Sequence, residues 1–254
     1  MSSSEGAAFF DLDRTLIAGS ANFALAVAAF RSGIVGPADL ARDAVNAVGF
    51  VLRGADDARS EALRDRILRA VAGREVAELD ALSDRIVPRM AASVFPEARR
   101  ELERHAAAGR DRVIVSASPQ EVVAKLAEEL GLEGAIGTRA EVVAGRYTGG
   151  LAGPFCYADN KPEEVRRLAT ERGYDLSASI AYTDAVSDLP FLECVGHQVA
   201  MNPDTELREI AVERGWRTVE VAPAHRTAGA ALVRVGRQLR QDATDRVRGR
   251  HAWT

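Results

Sequence analysis

Short, mostly apolar runs that each stop at a polar residue constrain this chain more than any other feature. Ala7 to Phe10 stops at Asp11, Val113 to Val115 at Ser116, Ser179 to Thr183 at Asp184, and Val199 to Met201 at Asn202; Thr218 to Val221 closes the series. Runs this short and apolar suit strands of a parallel sheet buried on both faces. Pro119 to Leu130 and Lys161 to Gly173 carry apolar residues at three and four spacing, and Leu189 to Val195 and Thr205 to Gly215 are shorter versions. Strand and helix in alternation predict an α/β fold with a Rossmann-like parallel sheet. Ligands of such sheets sit beyond the carboxyl ends of the strands, so Asp11, Ser116 and Asp184 are placed to converge on one site.

Residues 20 to 93 break the alternation with four helical stretches, near 21 to 31, 38 to 53, 57 to 72 and 75 to 92. An inserted helical cap, able to cover the strand ends as a lid, is the expected arrangement. The predicted division is a core of residues 1–19 and 94–223, a cap of residues 20–93 and a tail of residues 224–254. Ala18 to Ser20 and Ser93 to Pro96 are the expected hinges between two moving bodies. A second interruption, Glu141 to Gly150, reads as a β-hairpin turning at Ala144-Gly145.

Composition narrows the setting. With 254 residues, 47% of them hydrophobic, the chain can fill its own core. Cys156 and Cys194 make neither a disulfide framework nor a zinc pattern, and His105, His197, His225 and His251 lack ligand spacing. The start MSSSEG carries no leader pattern, and the apolar stretch Phe23 to Phe30 is far shorter than the roughly 20 residues of a spanning helix. A soluble, cytoplasmic protein without a transmembrane segment is expected. Net charge is −4, yet residues 224–254 hold seven arginines against Asp242 and Asp245. Without interleaved aromatic residues this tail reads as a solvated or packed helix, and no nucleic acid partner is expected.

The most informative segment is Asp11-Leu12-Asp13-Arg14-Thr15, directly after an apolar run. Aspartates at i and i+2 project to one side of an extended chain, which suits a metal together with a phosphate. Thr183-Asp184, with Asp188 four residues on, supplies the further carboxylates that a hard cation such as Mg²⁺ takes beside a substrate phosphate. Lys161, just before a helix, can neutralise a nucleophilic carboxylate and the phosphate; its bland reading is an exposed turn lysine. Ser116 can donate to a phosphoryl oxygen alongside helix N-terminal amides, or it can be a helix cap.

In this order, the DxDxT segment, the strand ending in serine, the lysine before a helix and Asp-x-x-x-Asp resemble the four motifs of the haloacid dehalogenase superfamily. The cap, the hairpin before Lys161 and Met201-Asn202-Pro203-Asp204 resemble its phosphoserine-phosphatase-like branch. That resemblance implies a Rossmann-like core with a helical cap and hydrolysis of a small phosphomonoester through an aspartyl phosphate. It implies Asp11 as nucleophile and Asp13 as general acid and base. Mg²⁺ would be held by Asp11, the backbone carbonyl of Asp13 and Asp184, with Asp188 positioning a water beside the ion. Ser116 and Lys161 would bind phosphate, and Thr15 would brace the Asp11 to Asp13 loop.

The substrate stays open at this point. The branch's phosphoserine enzymes carry Ser-Gly-Gly where this chain has Ser116-Ala117-Ser118-Pro119, and use an acidic cap residue where Ala18-Gly19-Ser20-Ala21-Asn22 has none. The Ser-Ala-Ser-Pro version resembles a less uniform branch that includes histidinol-phosphate phosphatases and phosphatidylglycerophosphate phosphatases, and either activity is implied as a candidate. A lipid phosphate would suit the apolar stretches Phe23 to Phe30 and Val45 to Leu52, with weak membrane-surface contact by the basic tail. Helix packing within the cap explains the same stretches. Arg53 and Arg59 are arginines of the cap without an assigned role. Two other classes are phosphotransfer to an acceptor other than water, and a non-catalytic phosphate-binding protein. Oligomeric state is not legible.

Overall fold

The computed structural model describes residues 6–33 and 57–222. The expected helix at 38 to 53, the stretch Val45 to Leu52, the tail of residues 224–254, Arg53, His225 and His251 lie outside the described residues.

Strand β1 (Ala8–Phe10) is fully buried and lies at the centre of a six-stranded sheet. β2 (Arg112–Pro119) and β3 (Gly134–Thr138) lie on one side of it. On the other lie β6 (Ile180–Thr183), β7 (His197–Met201) and β8 (Arg217–Val219), in the order β3-β2-β1-β6-β7-β8. Every pairing in this sheet is parallel, which explains apolar runs without alternation: both faces are covered. Phe10 stands opposite Ile114 on one side and Tyr182 on the other, so Asp11, Ser116 and Asp184 follow at neighbouring levels.

Two apolar cores result. One face packs Phe10, Ile114 and Tyr182 against α4 (Pro96–Ala107) and α5 (Gln120–Glu129); the other packs Phe9, Val115 and Ala181 under α6 (Lys161–Arg172), α7 (Leu189–Glu193) and α8 (Thr205–Glu213). Gly173 ends α6 in a left-handed conformation (φ 72°), the usual helix stop for a residue without Cβ.

Three differences from the sequence reading are informative. β2 runs on to Pro119, beyond Ser116, because its far end pairs with Thr138 of β3. β3 itself was not foreseen: Gly-Ala-Ile-Gly-Thr offers one large apolar residue, and pairing with β2 makes it a strand. Helix α4 was also missed, since half of its residues are charged and Leu102 is its one large apolar side chain.

The inserted segment comprises α1 (Ala21–Arg31), α2 (Asp57–Val71) and α3 (Val76–Ala92) among the described residues. Its two crossings pair with each other, Ala18 N donating to Ser93 O (3.1 Å) and Phe95 N to Leu16 O (2.9 Å). It is also fastened at a third place. The antiparallel hairpin of β4 (Ala140–Val143) and β5 (Arg146–Leu151) grips the turn between α2 and α3: Gly73 N donates to Tyr147 O (2.7 Å), and Tyr147 N to Arg74 O (2.9 Å). Tyr147 is buried and its hydroxyl donates to Glu121 on α5. Two bodies joined only at the hinges is therefore too simple a picture. No helix of the described residues is long and apolar enough to cross a membrane, and both cysteines are free thiols.

Candidate active site

Asp11 leaves the end of β1 with its backbone N–H bonded to Tyr182 O (2.9 Å), so the sheet fixes where its side chain begins. The carboxylate is 7% exposed. Lys161, the first residue of α6, donates from Nζ to Asp11 Oδ1 and to Asp188 Oδ2, both at 2.6 Å. At 2% exposure it is no surface turn lysine. Asp188 also accepts from Thr183 Oγ1 (2.8 Å), tying the end of β6 to the same cluster.

Asp13 Oδ1 accepts from the backbone N–H of Ala21, the first residue of α1 (2.9 Å), so this carboxylate caps the helix that opens the insertion. Thr15 Oγ1 reaches Asp184 Oδ1 (3.3 Å) and Arg14 Nη2 lies 2.5 Å from Asp184 Oδ2. The loop after β1 is thus joined to the end of β6 rather than braced only within itself. Asn202 Nδ2 donates to Arg14 O (2.9 Å), and Asp204 Oδ2 accepts from Val186 N (3.1 Å). The segment after β7 in this way holds both acidic loops. Ser116 is buried on β2 next to Asp11 and accepts from Ser118 N through its own Oγ (3.1 Å).

Burial dominates the electrostatics. It raises the pKa of Asp11 to about 6, against the opposing pull of Lys161, and raises that of Asp13. Asp184 is also raised by burial, despite Arg14. Burial opposes the charge of Lys161 too, but Asp11 and Asp188 outweigh it and keep the ammonium protonated. Cys156 is buried near this lysine and its thiol is pushed up to about 12 by desolvation, which leaves it inert.

Among the described residues no three acidic, thiol or imidazole groups already converge as a metal cage. The donor set nevertheless fits Mg²⁺, which keeps much of its water and needs only one or two carboxylates beside a substrate phosphate. Asp184 Oδ2 is buried with no hydrogen bond and only the Arg14 charge beside it, while Asp11 and Asp188 share the single ammonium of Lys161. A cleft of about 490 Å³ lined by Arg110, His197, Trp216 and Arg217 lies elsewhere, at the amino ends of β6 to β8. Strand polarity assigns the site to the Asp11 end.

Each sequence-predicted residue is thus buried or half-buried at the carboxyl end of the sheet, and side-chain bonds connect Asp11, Lys161 and Asp188 on one side, Thr15 and Asp184 on the other. Arg14 and Asn202 were not foreseen as site residues. The signal for Arg14 was its place within the Asp-x-Asp-x-Thr loop.

Fold and site together define a Rossmann-like α/β hydrolase with an acidic centre. The profile of the haloacid dehalogenase-like hydrolases matches residues 8–193. The chain belongs to this family, in its phosphoserine-phosphatase-like branch, and is a phosphoric monoester hydrolase. It is 39% identical over 215 residues to a probable phosphatase of Mycobacterium tuberculosis, covering 83% of this chain and 73% of that one. A phosphoserine phosphatase of the same organism is 38% identical over 226 residues, covering 87% and 73%. Among solved structures, a Bordetella pertussis protein of unknown function superposes with a TM-score of 0.75 at 29% identity, covering 86% of this chain and 99% of that one. A substrate-bound phosphoserine phosphatase shares the fold with a TM-score of 0.63 at 18% identity, covering 89% and 98%.

Proposed function

We propose that this chain is a Mg²⁺-dependent phosphatase that takes phosphate from a small phosphomonoester onto Asp11 and passes it to water. The observation that carries this reading is the Asp11–Lys161–Asp188 cluster: a carboxylate at the central strand end, buried, yet kept largely ionised at neutral pH by a buried lysine.

A carboxylate oxygen of Asp11 attacks phosphorus in line and the phosphorus–ester oxygen bond breaks. Asp13, whose raised pKa favours its protonated form, gives its proton to the leaving alkoxide. Asp13 then takes a proton from water as that water attacks phosphorus, the bond to Asp11 breaks, and free phosphate leaves. Lys161 and the Ser116 hydroxyl hold phosphoryl oxygens. Asp11, the Asp13 carbonyl and Asp184 would hold Mg²⁺, which supplies the positive charge that lets an anionic nucleophile meet an anionic phosphate. Closure of the helical insertion would exclude water during transfer, and Asp13, bonded to the start of α1, would register it.

Two relatives bear on the substrate, the phosphoserine phosphatase of M. tuberculosis and a histidinol-phosphatase of Neisseria meningitidis, the latter 32% identical over 127 residues, which is 48% of this chain and 57% of that one. The missing acidic residue between Ala18 and Asn22 still weighs against phosphoserine. The test is phosphate release from phosphoserine, histidinol phosphate and phosphatidylglycerophosphate, with Mg²⁺ or with a chelator. Mg²⁺-dependent release from one of them supports the reading and ranks the substrates. No release from any ester points to phosphotransfer or to binding without turnover.

A further inference from the structure

Arg14 is the cation of this site that the mechanism leaves without a task. Its backbone sits at φ 64°, a left-handed region that a residue with a side chain rarely adopts and that glycine would enter freely. The conformation is held from outside the residue: Arg14 N donates to Ile17 O (3.0 Å) and Asn202 Nδ2 donates to Arg14 O (2.9 Å). Strained backbone persisting at a site is an observation from which function can be argued.

The side chain reaches Asp184. Nη2 lies 2.5 Å from Oδ2, the oxygen that has no hydrogen bond, so the contact is one of charge with charge. The two partners differ in freedom: the Arg14 side chain is 25% exposed and that of Asp184 is 4% exposed. Asp184 is locked by Thr15 on its other oxygen and by burial. The guanidinium is thus the partly exposed member of the pair and the carboxylate the buried one.

We propose that Arg14 is a resident counter-cation for Asp184 which a divalent cation must displace, so that this residue sets the Mg²⁺ concentration at which the site loads. The inference rests on the reading of Asp11, Asp13 and Asp184 as the ion's ligands. Both cations would compete for the Asp184 carboxylate. Loading therefore breaks one ion pair for each ion bound, and the apparent affinity is lower by the worth of that pair. Without the ion, Arg14 supplies the charge that keeps a buried carboxylate tolerable.

The test is calorimetric titration of chelator-treated protein with MgCl₂ alone, comparing the unaltered chain with Arg14→Gln, Arg14→Gly and Asp184→Asn. Arg14→Gln and Arg14→Gly should both bind Mg²⁺ about three- to tenfold more tightly, the range expected for losing one partly exposed competing pair. Agreement between the two separates loss of charge from relief of the backbone, which only glycine provides. In the unaltered chain, Mg²⁺ should shift the Arg14 side-chain nitrogen resonance, identified by its absence in Arg14→Gln. Unchanged or weaker binding in both Arg14 variants, with binding still abolished by Asp184→Asn, overturns this inference and leaves the ligand assignment standing. Binding that survives Asp184→Asn, or no binding by any form, overturns the ligand assignment itself and this inference with it.

Discussion

Two buried charged clusters flank Phe10, and they are built on opposite terms. Below the sheet, Glu101 on α4 receives Arg217 on both oxygens (2.5 and 2.9 Å), Arg104 (2.9 Å) and the Tyr182 hydroxyl (3.0 Å). Because Tyr182 spends its one proton on Glu101, His105 Nε2, 2.7 Å away, must carry the proton of their bond. Burial opposes the charge of Glu101, but bonds from Arg217 and Tyr182 hold its pKa below the usual range. At the strand ends the balance reverses: burial keeps Asp11, Asp13 and Asp184 raised despite Lys161 and Arg14. A matched cluster stabilises the fold; on the proposed reading, the under-compensated one takes a cation and a phosphate.

The contrast can be broken at either end. Asp11→Asn should lower kcat by at least a thousandfold, the order of losing a nucleophile, while the thermal midpoint stays close to that of the unaltered chain. Glu101→Ala should do the reverse. Stripping Arg217, Arg104 and Tyr182 of their shared acceptor should cost about 3 kcal/mol in urea unfolding, with turnover per folded molecule kept within about twofold. Loss of activity with full stability in Glu101→Ala would erase the distinction.

Acid and base sharpen the same comparison, because the two clusters titrate with opposite sign. Burial lowers the His105 pKa from 6.5 to about 4, so its contribution is intact above pH 6.5 and is lost as pH falls through 4. After allowance for solvent screening this amounts to about 1 kcal/mol, and His105→Gln should flatten that acid limb. Burial raises Asp184 above its ordinary 3.8 despite Arg14, so its contribution is full below 3.8 and is lost as pH rises through the raised value. In chelator-treated protein Asp184→Asn should flatten this alkaline limb. Saturating Mg²⁺ should offset it as well, by about 2.7 kcal/mol at a hundredfold excess over Kd. Denaturant midpoints across the pH range check both limbs.

The smallest effect belongs to the exposed pairs. Lys125 reaches Asp84 (2.6 Å) and Asp80 (3.3 Å) between α5 and α3, but all three groups face water. Lys125→Ala should change stability by less than about 1 kcal/mol.

The sequence made the sheet and the acidic strand ends legible because both are local signals: a buried parallel strand shows as an apolar run, and its end as the first carboxylate. The cluster of Glu101 and His105 was not legible because Pro96 to His105 shows no clear apolar stripe, and their partners Arg217 and Tyr182 lie 116 and 77 residues away. The grip of the hairpin on the insertion failed to show for the same reason, with Glu75 and Arg146 separated by 71 residues. Asp11, Asp13, Asp184, Asp188 and Lys161 were singled out as candidates by type and order. Which carboxylate meets which cation is set by the loops, so the reach of Thr15 and Arg14 to Asp184 needed coordinates.

The most direct measurement is a single-turnover reaction with the best substrate of the panel, quenched in acid and mapped by mass spectrometry, with Asp11→Asn run beside it. A phosphoryl group on Asp11 that forms and decays at rates able to support turnover, and is absent from the variant, is the expected result. Phosphate release by Asp11→Asn at the rate of the unaltered chain would contradict a nucleophilic Asp11.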